Sequence, residues 1–167
     1  MVKIYSFVLV MCMISLKGLA QTPDSTLKPS TVKTLSDIQY NALLKGEDVY
    51  NMGLVAELNK YPSADKALKY KKELDLSPTQ VAALTKIDTE LKRKKIEMGN
   101  FIITNEIKLE ALFRAKKINE STLIFYTNRY GLYQGELRNA ILNAALNTNN
   151  LLSPQQVNKL QALKNHN

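Results

Sequence analysis

The sequence predicts an all-α protein organised as one long antiparallel helical hairpin with short flanking helices. Residues 78–116 contain no proline after Pro78 and no glycine except Gly99, which predicts a helix of about 39 residues. A second long segment after Asn119 repeats the helical spacing of apolar residues, and no segment alternates as strands do. Two long amphipathic helices joined by a few residues are typical of an antiparallel hairpin.

A five-residue motif opens the first long helix and recurs near the C-terminus. In each copy the serine is predicted to cap a helix, the proline to occupy its first position, and the glutamine to complete a capping box. The leucine before the serine is predicted to pack as a hydrophobic staple on a valine one turn into the helix. The residues concerned are Leu76, Ser77, Pro78 and Gln80 in the first copy and Leu152, Ser153, Pro154 and Gln156 in the second.

The predicted helices other than the two long ones are short. A weaker copy of the motif, with Ser36 as the cap, is predicted to start a helix that ends near Gly46. The later elements, in chain order, are a short helix within Asp48–Asn59 that Gly53 interrupts, a turn and cap at residues 61–63, a basic helix at Ala64–Leu74, a second long helix capped by Asn119, and a last helix that ends near Lys164.

Each long helix carries an apolar seam that is expected to face the other helix. On the second long helix, Gly131 and Gly135 lie one turn apart and are predicted to permit the close approach of another helix. The seams consist of Leu84, Ile87, Leu91, Met98, Ile102, Leu109 and Leu112 on the first helix, and of Leu123, Tyr126, Tyr130, Tyr133, Leu137, Ile141 and Ala144 on the second.

The first twenty residues have the features of a secretory signal peptide. Lys3 provides a charged start, residues 4–16 form an apolar run, and Gly18 and Ala20 are small residues at the cleavage-determining positions. We expect cleavage before Gln21 and export to the periplasm. No later segment is apolar for long enough to predict a transmembrane helix in the mature chain.

The rest of the chain is predicted to be a flexible leader, residues 21–34, followed by a single domain, residues 35–167. Cys12 is the only cysteine and lies in the signal peptide, so the mature chain is expected to lack disulfides. Loss of Lys3 and Lys17 lowers the net charge from +8 to +6. For an exported protein this charge excludes nucleic acid as the normal partner and suits acidic or unfolded polypeptides, anionic lipid or envelope polymer, or solubility.

The residue inventory argues against catalysis and against a transition-metal site. His166, the only histidine, is next to the C-terminus, and no Gly-rich phosphate loop or nucleophile arrangement is present. We therefore predict no enzymatic activity and no cofactor. Nitrogen and sulfur ligands for a metal are also scarce, because the mature chain adds only Met52 and Met98, and Met98 lies on the apolar seam. Metal binding through carboxylates stays open.

A second apolar stripe runs along the first long helix, opposite the main seam. At 100° per residue, the three isoleucines of this stripe lie about 140° to 180° from Met98, next to a basic run. The short N-terminal helices, a second copy of the chain, or an unfolded client protein could each cover it. For a client surface, the candidate residues are Lys92, Arg93, Lys95, Ile96, Ile103 and Ile107.

The paired motif, the signal peptide and the all-α pattern resemble the Spy/CpxP (LTxxQ-motif) family of periplasmic proteins, with serine in place of the family's threonine. Residues 52–62 also resemble the segment before the first motif in family members described as heavy-metal sensors, and the resemblance covers about residues 32–164. It implies a long helical hairpin that pairs with a second copy as a cradle-shaped homodimer. The family includes ATP-independent chaperones, inhibitors of envelope-stress sensor kinases, and metal-binding sensors.

The function predicted from these observations is that of a periplasmic, ATP-independent chaperone-like protein that binds unfolded or misfolded envelope proteins. The alternatives are a regulatory module that docks on the periplasmic domain of an envelope-stress sensor kinase, and a metal-sensing or metal-resistance protein of the same family. Fold alone does not choose among them.

Overall fold

A computed structural model of the chain describes residues 27–164. The predicted signal peptide, its cleavage site, Cys12 and His166 lie outside this range. Six helices and no strand occur within the described residues, which confirms the all-α prediction. The helices are α1 (Asp37–Lys45), α2 (Leu54–Leu58), α3 (Ala64–Lys69), α4 (Pro78–Arg114), α5 (Glu120–Leu151) and α6 (Pro154–Lys164).

Two of the short helices are shorter than predicted. Residues before α2 form a turn instead, because the Asp48 carboxylate accepts hydrogen bonds from the backbone N–H groups of Met52 and Gly53, both at 2.9 Å. Helix α3 ends at Lys69, and the predicted end at Leu74 lies in the following turns, where Leu74 is buried. Leu74 is therefore part of the core although it lies beyond the end of the helix.

The predicted helix starts are confirmed by their capping geometry. Ser36, Ser77 and Asn119 each accept a hydrogen bond from the backbone N–H three residues later, and each forms a complete capping box. Ser153 makes the same reciprocal pair with Gln156, at 2.9 and 3.2 Å. Ser63 is different, since it precedes α3 without a side-chain capping bond.

The two copies of the motif meet in space through their glutamines. Gln80 Nε2 donates to Gln156 Oε1 at 2.9 Å, and Gln156 Nε2 donates back to Gln80 Oε1 at 3.2 Å. Gln80 Nε2 also donates to the carbonyl of Leu151, and Gln156 Nε2 to that of Leu74. Each glutamine therefore closes its own capping box and joins the start of α4 to the start of α6.

Helices α4 and α5 pack along each other over most of their length. The start of α4 lies beside the end of α5, as the bond from Gln80 to Leu151 shows. Farther along, the rings of Phe101 and Tyr133 are 5.2 Å apart, and Asn105 Nδ2 donates to the Tyr126 carbonyl at 3.0 Å. The later part of α4 therefore lies beside the earlier part of α5.

Two clusters of buried apolar residues hold the other helices on this pair. The base cluster joins α3 and α6 to the start of α4 and the end of α5, and the central cluster joins α1 and its preceding residues to the middle of both long helices. The buried residues are Ala64, Ala67, Leu74, Leu84, Leu152 and Leu160 in the base cluster, and Val32, Leu35, Tyr40, Leu43, Met98, Ile102, Ile103 and Leu137 in the central cluster.

Residues 28–34 pack against α1 and the long helices, which corrects their assignment to a flexible leader. Val32 is fully buried, and the backbone N–H of Lys28 donates to Asn41 Oδ1 at 3.1 Å. Burial of one side chain and pairing of one backbone group fix this stretch against α1.

Close approach of helices occurs at Gly99 and not at the two glycines predicted for it. A Cβ at Gly99 would lie 2.1 Å from the Leu43 carbonyl oxygen, so only glycine lets α1 sit this close to α4. Gly131 and Gly135 are exposed, and a Cβ at either would meet nothing within 4 Å. No described part of the chain uses the space above them.

Candidate binding surfaces

The basic run predicted to attract clients is mostly paired with carboxylates of its own helix. Lys92 Nζ lies 2.7 Å from Asp88, and Arg93 contacts both Glu90 at 2.5 Å and Glu97 at 3.1 Å. The hydrogen bond from Arg93 lowers the pKa of the Glu90 carboxyl, and the bond with Asp88 raises the pKa of Lys92. Exposed pairs of this kind leave little uncompensated charge for a client.

Lys95 and Ile96 lie where α1 ends. A Cβ at Gly46 would be 3.0 Å from Lys95 Cβ and 3.1 Å from Ile96 Cγ1, so the stems of both side chains pack beside this glycine. Lys95 is half-buried, whereas Ile96 keeps 40% of its surface exposed. The end of helix α1 therefore covers part of the predicted stripe at Lys95 and Ile96.

Ile103 is only 6% exposed and lies in the central cluster. This corrects its assignment to a client surface, because α1 docks at the adjacent Gly99 and covers it. Ile107 lies beyond α1 and is 43% exposed. The three isoleucines therefore do not form one continuous surface. The short N-terminal elements cover Ile103, which lies between the exposed Ile96 and Ile107.

A mostly uncovered region is the distal arm, defined here as residues 107–132 of α4, α5 and their connection. No residue between Asn105 and Leu137 is buried, although the two helices pack on each other here. Large apolar side chains that are exposed in the arm are Ile107, Phe113, Leu123, Ile124, Phe125 and Leu132. This exposed group is therefore a candidate surface for a partner.

Phenylalanine is normally among the most buried residue types. All three phenylalanines within residues 27–164, Phe101, Phe113 and Phe125, are exposed. Two of them belong to one aromatic stack that crosses from α4 to α5.

In this aromatic stack the Phe101 ring contacts the Tyr133 ring, and the Arg129 guanidinium lies 5.5 Å from Tyr133 and 5.1 Å from Phe125. Arg129 Nε also donates to the Tyr133 hydroxyl at 2.9 Å. Arg129 forms no ion pair within the described residues, unlike Arg93 and Arg114. A cation held between two rings in this way presents an apolar surface together with an available positive charge.

Comparisons with known proteins identify no relative of the chain. No protein-family model, curated protein or solved structure matches the chain. The resemblance to the Spy/CpxP family thus rests on the sequence pattern alone, namely the paired motif, the signal-peptide features, the all-α pattern and residues 52–62.

A cleft of about 440 Å³ lies between α2, α3 and the middle of the α4–α5 pair. Two ion pairs lie among its charged residues, Lys66 with Glu57 at 3.0 Å and Lys92 with Asp88 at 2.7 Å. No group of three or more histidine, cysteine or acidic residues able to hold a metal ion occurs in the part of the chain that the structure describes. None of the described helices is long and apolar enough to cross a membrane.

A second concave site, the α4–α5 groove, has a volume of about 360 Å³ and is lined only by α4 and α5. Ile87, Leu91, Ala140 and Ala144 provide its apolar part. Its polar part includes Asn139, Asn143 and Asn147, which follow one another at a four-residue spacing. This spacing is visible in the sequence and was the available signal for the groove.

The aromatic stack had a comparable signal for its α5 members, because Phe125, Arg129 and Tyr133 also follow one another at a four-residue spacing. Only the contact with Phe101 depends on the relative position of α4 and α5. The motif residues, in contrast, are placed as predicted at helix starts, and they contribute to the fold and not to an exposed surface.

Proposed function

We propose that the chain is an exported, periplasmic, ATP-independent chaperone-like protein of Spy/CpxP type that binds unfolded or misfolded envelope proteins. The observation that carries the proposal is the distal arm, where six large apolar side chains are exposed and none is buried. Non-native polypeptides expose apolar segments, and a surface of this composition binds them without a sequence requirement.

The proposed architecture is a long antiparallel hairpin of α4 and α5 that pairs with a second copy as a cradle-shaped homodimer. Support comes from the arm, because two helices without a buried residue gain little stability alone. Sedimentation equilibrium at micromolar concentration tests this, and a mass of one chain at all concentrations would refute the dimer.

Binding of a client protein to the distal arm and the aromatic stack needs no nucleotide. The unpaired charge of Arg129 favours encounter with acidic segments, and the neighbouring Phe101 and Phe125 rings then contact apolar side chains. Contacts of this kind are weak and non-directional, so a client segment can leave and fold.

An aggregation assay tests the proposal. A chemically denatured model protein is diluted into buffer without ATP, with or without a stoichiometric amount of the wild-type chain, and light scattering is followed. We expect suppression by the wild type and a large loss of suppression in the double variant Phe113→Ser/Phe125→Ser. The matched control, Leu54→Ser/Leu58→Ser, changes two exposed residues outside the arm and should retain suppression.

Two results would overturn the proposal: no suppression by the wild type, or equal suppression by the arm variant. Repeating the assay with zinc separates the metal-sensing alternative, for which suppression or client affinity would depend on the metal. Binding to an isolated sensor-kinase periplasmic domain, without suppression of aggregation, would favour the regulatory alternative.

A further inference from the structure

The α4–α5 groove contains an arrangement that the exposed apolar residues of the arm do not explain. Asn139, Asn143 and Asn147 occupy successive turns of α5 and all line the groove. None of their amides has a hydrogen-bond partner within residues 27–164, whereas buried Asn41 and Asn105 each bind a backbone carbonyl. All three side chains are exposed where they line the groove, so their amide donors and acceptors are open to a partner.

Asparagine is a poor choice for these positions on grounds of helix stability. It competes with the helix backbone for hydrogen bonds and ranks well below alanine as a helix former. Three asparagines within nine residues of the α5 interior therefore weaken the helix without a visible structural return. Other exposed helical asparagines, such as Asn100 and Asn128, have the same cost, and the three at positions 139, 143 and 147 differ from them because all three line one groove.

The repeat of the asparagines matches the repeat of an extended polypeptide. Four residues of helix rise about 6 Å, and two residues of extended chain advance about 6.6 to 6.8 Å. A segment lying along α5 thus places every second peptide group opposite an asparagine. A side-chain amide has both a donor and an acceptor and can pair with the C=O and N–H of a peptide group.

The apolar part of the groove suits the side chains of such a segment. In an extended chain every second side chain points to the same face, and Ile87, Leu91 and the small Ala140 and Ala144 lie there. From Lys86 to Lys94 the groove follows about 12 Å of α4, which corresponds to about four extended residues.

The charges at the two ends specify the partner further. Lys86 and Glu136 both line the groove and form no ion pair within the described residues. Because the start of α4 lies beside the end of α5, these two charges are at opposite ends of the groove. They complement a segment with an acidic residue at one end and a basic residue at the other.

We propose that the α4–α5 groove binds an extended segment of about four residues of a non-native polypeptide, with Asn139, Asn143 and Asn147 pairing with its main chain. The inference rests on the proposed function and deepens it, because main-chain recognition supplies affinity that does not depend on sequence. The arm holds apolar side chains, and the groove holds the backbone.

The test uses a fluorescein-labelled peptide of six residues, in which four alternating valine and alanine residues lie between a terminal glutamate and a terminal lysine. Fluorescence anisotropy measures its binding to the full chain. A second peptide carries N-methyl groups on alternate inner residues, which removes main-chain donors and keeps the side chains. We expect the methylated peptide to bind about tenfold more weakly or worse.

The variant Asn139→Ala/Asn143→Ala/Asn147→Ala should lose about tenfold or more in affinity for the unmethylated peptide and should no longer discriminate against the methylated one. Alanine favours the helix, so circular dichroism and thermal unfolding should show an equal or higher stability. The matched control is Asn100→Ala/Asn128→Ala/Asn158→Ala, which changes exposed helical asparagines outside the groove and should bind as the wild type does.

Charge complementarity has its own variant. Lys86→Gln/Glu136→Gln should remove the preference of the wild type for the charged-end peptide over one that ends in glutamine on both sides. Equal affinity of the wild type for methylated and unmethylated peptides, or unchanged affinity of the triple asparagine variant, would overturn the proposal.

These outcomes are separable from those of the aggregation assay. If the wild type suppresses aggregation but the asparagine variant binds the peptide unchanged, the groove assignment fails and the proposed function stands. If the peptide binds through the asparagines but the wild type does not suppress aggregation, the proposed function fails and the groove assignment stands.

Discussion

The two halves of the α4–α5 pair differ in what surrounds them. The covered half, residues 78–105 and 137–151, is packed by α1, α3 and α6 and contains all the buried residues of the two long helices. The distal arm has the same helices and a similar content of apolar residues, but none is buried. An amphipathic helix pair thus becomes stable core only where a further layer covers it.

The largest expected difference between the halves is in the stability lost when an isoleucine is changed to alanine. Ile102 is fully buried, whereas Ile107 is on the arm. Ile102→Ala should lower the free energy of unfolding by about 2 to 5 kcal/mol, because it leaves a cavity, and Ile107→Ala by less than about 1 kcal/mol. Urea unfolding measures both, and similar costs would show that the arm is packed in solution.

Alanine at Gly99 and alanine at Gly135 should change the free energy of unfolding in opposite directions. Gly99→Ala forces a Cβ against the Leu43 carbonyl and should destabilise by about 1 to 3 kcal/mol, since α1 must move away. Gly135→Ala meets open space and should stabilise α5 by up to about 1 kcal/mol. Thermal unfolding compares them, and a destabilising Gly135→Ala would indicate that a second copy contacts this position.

The glutamine pair at the base should show energetic coupling. Gln80→Ala and Gln156→Ala should each cost about 1 to 2 kcal/mol, because each removes a cap and leaves the other amide without its partner. The double variant should cost less than the sum, with a coupling of about 0.5 kcal/mol or more. Gln39, which closes a capping box but does not contact either glutamine, is the control and should be additive with Gln156→Ala.

The smallest expected effect is a pH dependence where the turn before α2 meets the distal arm. Burial, followed by the charge and hydrogen bond of Tyr130, raises the pKa of the Tyr50 phenol. The folded state therefore holds this proton at a pH where the unfolded chain releases it, and stability falls as the pH rises above about 10. Tyr50→Phe should reduce this alkaline loss in urea unfolding from pH 8 to 11, and an unchanged loss would contradict the assignment to Tyr50.

Local signals predicted the helix starts well, because a cap depends on residues three positions apart. Ser36, Ser77, Asn119 and Ser153 all cap as the motifs indicate. The ends of α2 and α3 were not predictable in this way, since the Asp48 turn and the burial of Leu74 depend on neighbouring elements.

The position of α1 also limited what the sequence could predict about the candidate surfaces. The periodicity correctly places Ile103 away from the main seam, but it cannot tell that α1 covers this residue and leaves Ile107 exposed. Gly99 was the residue that decided this, and its role depends on a backbone carbonyl 56 positions earlier in the chain. The asparagine spacing was readable, but its place in a groove requires both long helices.

The contact between Gln80 and Gln156 also couples the lengths of α4 and α5. The two residues are 76 positions apart and meet at the base, so an insertion in only one long helix would shift its apolar residues against those of the other. Matched insertions of seven residues, about two turns in each helix, keep both the apolar register and the glutamine contact. A chain of this design can therefore lengthen its arm by about 10 Å at a time while its base stays unchanged.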